Sequence, residues 1–346
     1  MRAENNAKDQ THLNFISGSA ARLPSDAEAE NRSWLKLAEP RMSIIIVNWN
    51  TRDILADCLE SILADIGLPE AAGMEVYVVD NASADESVAM LRNRFPWVKL
   101  IENSVNVGFA RANNQAIRIC KSDYLLLLNS DTKVLPGALQ ALVKFMDETP
   151  QAGAAGSLLL NPDQTLQHSC YRVPTLFGEA WRLLHLDSLY RIVLYDMKSW
   201  SQERVRQVEV IQGASFVVRR QVVETVGMFD EDYFMYTEEV DWCDRILQAG
   251  WKIFWVPQSK VIHYGGQSTR QAAQSMFLRL YESKIIFFRK HRGTLATLSY
   301  KLVLGIASLL RLAASPIVLL ESGVKRQEHL RTANNYYHLL RSLPNF

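Results

Sequence analysis

Apolar residues run along this chain in short blocks that stop abruptly at polar clusters. Residues 43–47 (Ser-Ile-Ile-Ile-Val) stop at Asn48-Trp49-Asn50-Thr51, residues 74–79 at Asp80-Asn81-Ala82-Ser83, and residues 125–128 at Asn129-Ser130-Asp131-Thr132. Such runs read as strands buried on both faces. Between them the spacing becomes helical. Ile54, Leu55, Cys58, Leu59, Ile62 and Leu63 recur at helix intervals, with Thr51 or Asp53 near the start and Gly67-Leu68-Pro69 at the end. A helix through Val88 and Leu91, a strand at 98–101 and a helix opened by Gly108 and reaching about Cys120 follow. Strands and helices alternating at these lengths predict a mostly parallel sheet with helices on both faces.

Farther on, Leu139, Leu142, Val143 and Met146 mark a helix, and residues 154–160 a strand ended by Asn161-Pro162-Asp163. A strand is predicted over 208–218, a turn at Gly227, a helix over 234–250, a strand over 251–256, a loop over 261–268 containing His263, and a helix over 272–291. Residues 161–206 hold Trp181, Trp200 and many Arg without a clean period, and are expected to form a mixed insertion on the substrate side. Residues 1–41 show no periodicity and lack the apolar core of a signal peptide, so a disordered tail is expected, with Met42 as an alternative start. Residues 302–320 are nineteen residues long and apolar apart from Arg311. That length suits a membrane span, but a charge near the centre costs roughly 2.5–3.5 kcal/mol on insertion scales. A helix lying on a membrane surface is the first expectation, a packed domain helix the second and a span the third.

Composition adds little. The 346 residues are 48% hydrophobic and 22% charged with a net charge of +1, an ordinary globular balance that offers nothing for nucleic acid. Cys58, Cys120, Cys170 and Cys243 are widely separated and form no C-x-x-C pair, which points to reduced thiols rather than a zinc or redox motif.

Candidate chemistry sits where the apolar runs stop. Asp80, Asp131, the Glu238-Glu239-Val240-Asp241 cluster and His263 are the groups suited to a hard divalent cation or to base catalysis. A histidine among oxygen donors favours Mn2+, with Mg2+ the other choice. Each piece alone has an ordinary reading: a turn or cap for Asp80 and Asp131, a turn for Gly108, macrodipole partners for the acidic cluster, a loop histidine for His263.

As an ordered set the motifs resemble the family 2 glycosyltransferases, in particular a rhamnosyltransferase-like branch. The set is Ile-Ile-Val-Asn-Trp-Asn (45–50), Val-Val-Asp-Asn-Ala-Ser (78–83), Asn-Val-Gly-Phe-Ala-Arg-Ala-Asn-Asn (106–114), Leu-Leu-Asn-Ser-Asp-Thr (127–132), Gly-Ala-Ser-Phe-Val-Val-Arg-Arg (213–220), Gly-Met-Phe-Asp-Glu (227–231), Phe-Met-Tyr-Thr-Glu-Glu-Val-Asp-Trp-Cys-Asp-Arg (234–245) and His263 before Gly-Gly-Gln-Ser. The resemblance covers about 42–292. It implies an α/β GT-A fold, with a nucleotide-sugar half over about 42–135 and an acceptor half over about 136–292; residues 293–346, beyond the resemblance, are expected to form a C-terminal helical segment for which membrane association is one of the three readings above. It also implies an inverting transfer from a nucleotide sugar, dTDP-L-rhamnose first and a UDP- or GDP-sugar second. The acceptor would be a saccharide or lipid-linked saccharide at the cytoplasmic face of the inner membrane, in cell-surface polysaccharide synthesis.

The resemblance assigns nucleotide-sugar contacts to Asn48, Asn50, Asp80, Asn81, Asn106, Gly108, Asn113, Asn129 and Ser130, and a metal, Mn2+ or Mg2+, to Asp131 and His263. The family's base is an Asp in a Glu-Asp pair. Here the pair is Glu238-Glu239, with Glu239 in the aligned position. The extra methylene moves the carboxylate by about 1.5 Å, which keeps Glu238 and Asp241 as alternatives. A non-catalytic sugar-nucleotide or glycan-binding protein on the same fold is the competing class. A processive membrane synthase is disfavoured, because no Gln-x-x-Arg-Trp motif follows Asp241.

Overall fold

The structure, a computed structural model, describes residues 40–184, 186, 194–314 and 323–346. The expected tail, apart from its last two residues, and residues 315–320 of the apolar stretch lie outside the described residues.

The first half alternates as the sequence pattern requires. Strand β1 (Met42–Asn48), helix α1 (Arg52–Ile66), β2 (Met74–Asp80), α2 (Ser87–Arg94), β3 (Lys99–Glu102), α3 (Phe109–Ile119) and β4 (Tyr124–Leu128) follow in turn. The chain then forms β5 (Thr132–Val134), α4 (Ala138–Glu148), β6 (Ala152–Leu160), β7 (Cys170–Tyr171), α5 (Leu176–Leu183), β8 (Arg206–Val208), β9 (Val210–Ile211), β10 (Ser215–Arg219) and α6 (Arg220–Val226). It closes with α7 (Glu238–Gln248), β11 (Lys252–His263), α8 (Ala273–His291), α9 (Gly293–Ala314) and α10 (Gly323–Ser342).

Among the described residues, nine strands make one sheet in the order β3-β2-β1-β4-β10-β6-β11-β5, with β8 also on β11. β1 to β4, β6 and β11 point one way; β5, β8 and β10 run against them. The sheet is mostly parallel and buried on both faces. Leu126 and Leu128 of β4 pack with Ile44, Val76, Leu55 and Leu59 on one face. Leu125 and Leu127 pack with Ile45, Val79, Ala112 and Trp242 on the other. All four leucines are buried, and each fully buried leucine contributes about 1.5–3 kcal/mol. A third apolar cluster joins α5, α8, α9 and α10 through Leu183, Ile285, Phe288, Tyr300, Leu304 and Leu339. The helical C-terminal region therefore shares its core with α8.

Three expectations change. The strand over 208–218 falls in three strands: Val208 ends β8 on β11, β9 pairs with β7 in a small separate sheet, and β10 inserts between β4 and β6. The chain leaves one sheet and enters the other through Gln212-Gly213-Ala214. The helix over 234–250 begins at Glu238, because Tyr236 and Thr237 take left-handed backbone angles. His263 lies at the end of a strand rather than in a loop, since β11 resumes after an irregularity between Val256 and Lys260. Pro257, which lacks an N–H, falls in that interruption.

Arg311 occupies a packed helix. Its guanidinium donates to the carbonyl of Leu183 at 2.9 Å and lies 4.6 Å from the Tyr336 ring centre. The charge that argued against a span is turned toward α5 and α10.

Candidate active site

The carboxyl ends of β1, β2, β4 and β11 share one edge of the sheet, the edge at which open α/β folds bind ligands. Strand register puts them there: Asn48 stands beside Asp80, and His263 beside Thr132. A cavity of about 500 Å³ opens at this edge. It gathers Asn81, Asn106, Gly108, Asn129, Ser130, Asp131 and His263 from segments far apart in the chain.

The residues expected to contact the nucleotide sugar form a braced wall. Asn81 donates to Asn106 at 2.8 Å, and its oxygen accepts from Asn103 and from the Val107 N–H at 3.1 and 3.0 Å. One buried amide thus folds the 103–108 segment. Gly108 has φ +89°, and a methyl group there would stand 2.5 Å from the Phe234 carbonyl oxygen. Only glycine fits, and the Phe109 N–H donates to that same carbonyl at 2.7 Å. Beneath this wall Asp80 is buried, accepting from Asn48 at 3.0 Å and from the Ser83 N–H at 2.9 Å.

Four of the expected nucleotide-sugar residues do not line the cavity, nor do Glu238, Glu239 and Asp241; Asn48 and Asp80 lie beneath the wall. Asn50 faces an adjoining groove with Arg52, Asp85 and Gln271. Asn113 is buried in α3, its amide donating to the Phe109 carbonyl at 2.9 Å.

Asp131 and His263 meet at the cavity floor. The His263 Nε2 lies 3.3 Å from Asp131 Oδ1 and 3.4 Å from the Asn129 amide nitrogen. Asp131 Oδ2 accepts from the Gln267 N–H at 3.3 Å. Burial opposes ionisation of Asp131, but the His263 ring and the Gln267 N–H outweigh it and hold the carboxyl below its usual range. Among the described residues no three His, Cys, Asp or Glu side chains cluster as a metal cage. The pair still fits a cation. Bonds of about 2.0–2.1 Å in octahedral geometry separate neighbouring donors by about 3 Å, close to the spacing here. Such a site leaves positions open for phosphate oxygens and water.

The acidic cluster divides. Glu238 is buried, and its Oε2 has no hydrogen-bond partner. Burial, with Glu239 nearby, pushes its carboxyl well above the ordinary glutamate value. Glu239 is partly buried, packs over Gly213, and is also pushed up by burial. Neighbours of both line the cavity: Tyr236 on one side, Gln212 on the other. Asp241 does not join them. Its oxygens accept from Arg245 at 2.8 Å and pair with His291 at 2.6 Å, tying α7 to α8. As a base it is already occupied.

Tyr236 and Thr237, at φ +69°, carry left-handed angles that cost about 1–3 kcal/mol each. Their strain lies between the cavity wall and the Glu238-Glu239 pair. Gln167, Gln212 and Met276 carry no signal in the sequence. Yet Gln212 and Met276 line the cavity, and Gln167 contacts His263.

Residues 43–225 match the family described as Glycosyl transferase family 2. The N-acetylglucosaminyl-diphospho-decaprenol L-rhamnosyltransferase of Mycobacterium tuberculosis is 30% identical over 259 residues, covering 68% of this chain and 81% of that protein. The rhamnosyltransferase WbbL of Escherichia coli K12 is 25% identical over 250 residues, covering 68% and 87%. The mannosyltransferase PcManGT of Pyrobaculum calidifontis, solved with GDP-Man and Mn2+, superposes with a TM-score of 0.52 at 17% identity, covering 92% of this chain and 90% of that one.

Proposed function

The chain belongs to glycosyl transferase family 2 and is a glycosyltransferase of polysaccharide synthesis, and from that premise we propose that it moves L-rhamnose from dTDP-L-rhamnose to a lipid-linked saccharide, inverting the anomeric centre. One observation carries the reading: one cavity holds Asp131 and His263 together with Tyr236, two residues before Glu238, and Gln212, next to the Gly213 that Glu239 packs over. The rhamnosyltransferase relatives support the sugar.

In this reading Asp80, Asn81 and Asn106 shape the pocket for the nucleoside, and Asn129, Ser130 and Asp131 face the diphosphate. Asp131 and His263 hold a divalent cation, Mn2+ before Mg2+. That cation, when bound, offsets charge on the departing diphosphate. Glu239 takes the proton from the acceptor hydroxyl as its oxygen attacks the anomeric carbon from the face opposite the diphosphate. A carboxylate raised above its usual range is the stronger base for that step. Glu238 keeps the second negative charge away from Glu239 by staying protonated. One displacement suffices, and no side chain becomes covalently bound to the sugar.

The acceptor reading places the enzyme at the cytoplasmic face of the inner membrane. Leu295, Leu298, Leu302, Ile306, Leu309 and Leu310 are exposed on α9, spaced to form one stripe along the helix. Residues 293–346 carry six Lys or Arg against two Glu, a balance that suits anionic headgroups. Flotation with phosphatidylglycerol vesicles checks it: a protein that stays in the soluble fraction rules the membrane contact out.

The enzymatic reading is tested by a donor screen. Full-length protein is incubated with Mn2+, a membrane lipid extract and each of dTDP-rhamnose, UDP-hexoses and GDP-hexoses. Metal-dependent transfer of label from dTDP-rhamnose is expected. Transfer from a different donor corrects the sugar, and none from any donor favours the binding-protein reading.

A further inference from the structure

Gln167 belongs to none of the motifs, yet both ends of its amide are engaged beside His263. The turn after β6 delivers it: Gln164 is left-handed, the Asn161 N–H donates to the Thr165 carbonyl, and the Gln167 N–H returns to the Leu159 carbonyl at 2.9 Å. The Gln167 Nε2 then lies 3.0 Å from the His263 backbone oxygen and 3.0 Å from Asn161 Oδ1, and Oε1 lies 2.7 Å from His263 Nδ1.

Two groups fix the direction of every hydrogen bond in this chain. A backbone carbonyl only accepts, so the Gln167 nitrogen must face His263 O, and Oε1 must face the ring. The far end agrees. The Asp163 carboxylate accepts from the Thr165 hydroxyl at 2.6 Å, which obliges Thr165 Oγ1 to accept from Asn161 Nδ2 at 2.9 Å. Asn161 therefore presents its oxygen, not its nitrogen, to Gln167. With Oε1 as an acceptor, His263 must carry its proton on Nδ1. In the neutral ring this leaves the lone pair on Nε2, the atom 3.3 Å from Asp131; only the protonated ring, with hydrogen on both nitrogens, acts on Asp131 as a cation.

We propose that Gln167 is a positioning residue, fixing His263 in the Nδ1–H tautomer so that Nε2 is presented beside Asp131 as a cation ligand. The proposal rests on the metal-dependent reading above but has its own readout. A side chain that orients a ligating histidine changes metal affinity without touching the metal. It also explains why a segment with no visible site motif, residues 161–167, folds back against the end of β11.

The test uses full-length protein with 15N-labelled histidine, free of metal and at a pH where the ring is neutral. Long-range 1H–15N correlation reads the His263 tautomer, assigned by its disappearance in His263→Ala. Mn2+ affinity is read by electron paramagnetic resonance of free Mn2+. Wild type should show Nδ1–H. Gln167→Met, similar in size but without an acceptor, should lose that preference and weaken Mn2+ binding about tenfold or more. Gln167→Glu, which keeps an acceptor for the ring N–H, should restore both. An Nε2–H tautomer in wild type overturns the proposal and needs no variant. So does a Gln167→Met protein with unchanged tautomer and Mn2+ affinity. If the tautomer responds to Gln167→Met but wild type binds no Mn2+, the orienting role stands and the metal reading falls.

Discussion

Two carboxylate clusters near one cavity behave in opposite ways: Asp131 lines it, and Glu238 follows two residues after Tyr236, which lines it. Asp131 is buried, yet His263 and the Gln267 N–H hold it below its usual range, so it is ionised at neutral pH. Glu238 is equally buried, but its neighbours Glu239 and Asp241 carry the same charge and its Oε2 has no hydrogen-bond partner among the described residues, so it resists ionisation. Burial is common to both; the sign of the neighbouring charge decides the outcome. The consequences for stability are opposite. Asp131 contributes stability that is present above its unfolded value and lost as pH falls through its lowered folded value. Glu238 favours the folded state when protonated, and that advantage disappears as pH rises through its raised value. A site that is ionised suits a cation; a pair in which Glu238 holds its proton leaves Glu239 as the one carboxylate able to act as a base.

The largest expected effect tests the first cluster. Asp131→Ala should lower transfer by roughly a thousandfold or more, the equivalent of about 4 kcal/mol of lost charge stabilisation. Release of nucleotide diphosphate measures the rate, and an unchanged circular dichroism spectrum shows the fold is kept. Activity within tenfold of wild type would remove the cation role from Asp131.

The next effect tests the second cluster. Glu239→Gln should lower the rate by about a hundredfold, the lower end for loss of a general base, while donor binding is retained. Glu238→Gln should cost much less. The reverse ranking would move the base to Glu238 and cancel the assignment made from the aligned position. The same pair of variants shows whether the Glu in place of Asp at 239 moved the chemistry along the helix.

Asp241, the third acid of that stretch, should behave as a structural group. Its carboxylate is buried and shared by Arg245 and His291. Asp241→Asn leaves Arg245 without its counter-charge and His291 with Asp244 alone, and a one-sided break of a buried pair costs about 3–5 kcal/mol. Thermal melting should show the loss, and the folded fraction should keep its kcat. A kcat loss in a protein of normal stability would return Asp241 to the catalytic group.

Much of this was legible in the sequence, and what was not has physical causes. Three of the four strands of the first half, β1, β2 and β4, are short buried runs that end in polar clusters, and such runs announce both the fold and the edge where Asp80 and Asp131 lie. His263 was legible as a residue but not as the end of a strand, because Pro257 interrupts the apolar run that would have carried β11 past it. The split between β9 and β10 was hidden for a related reason. Residues 208–218 are uniformly strand-like, and only the choice of partner, β7 for one and β4 with β6 for the other, separates them. Gln167 and Gln212 had no signal at all. A neutral amide has no preferred spacing, and its role is set by what tertiary structure brings beside it. Asp241 was indistinguishable from Glu238 and Glu239 in one dimension, since its partner His291 is fifty residues away.

The smallest effect is the most direct reading of the contrast between the clusters. Glu238→Gln removes a group that must either stay protonated or be ionised in a buried place without a partner. Gln keeps the shape, and the unpartnered Oε2 means that no hydrogen bond is lost there. At pH 8 the variant should melt higher than wild type, by about 2–4 °C for each kcal/mol of relief. The difference should shrink as pH falls to and below the ordinary glutamate value of 4.5, since below it wild-type Glu238 is protonated in the folded and unfolded chains alike. Melting curves of the two proteins across that range give the slope directly. A variant that melts lower than wild type at pH 8 would mean that ionised Glu238 has a stabilising partner, and the contrast with Asp131 would vanish.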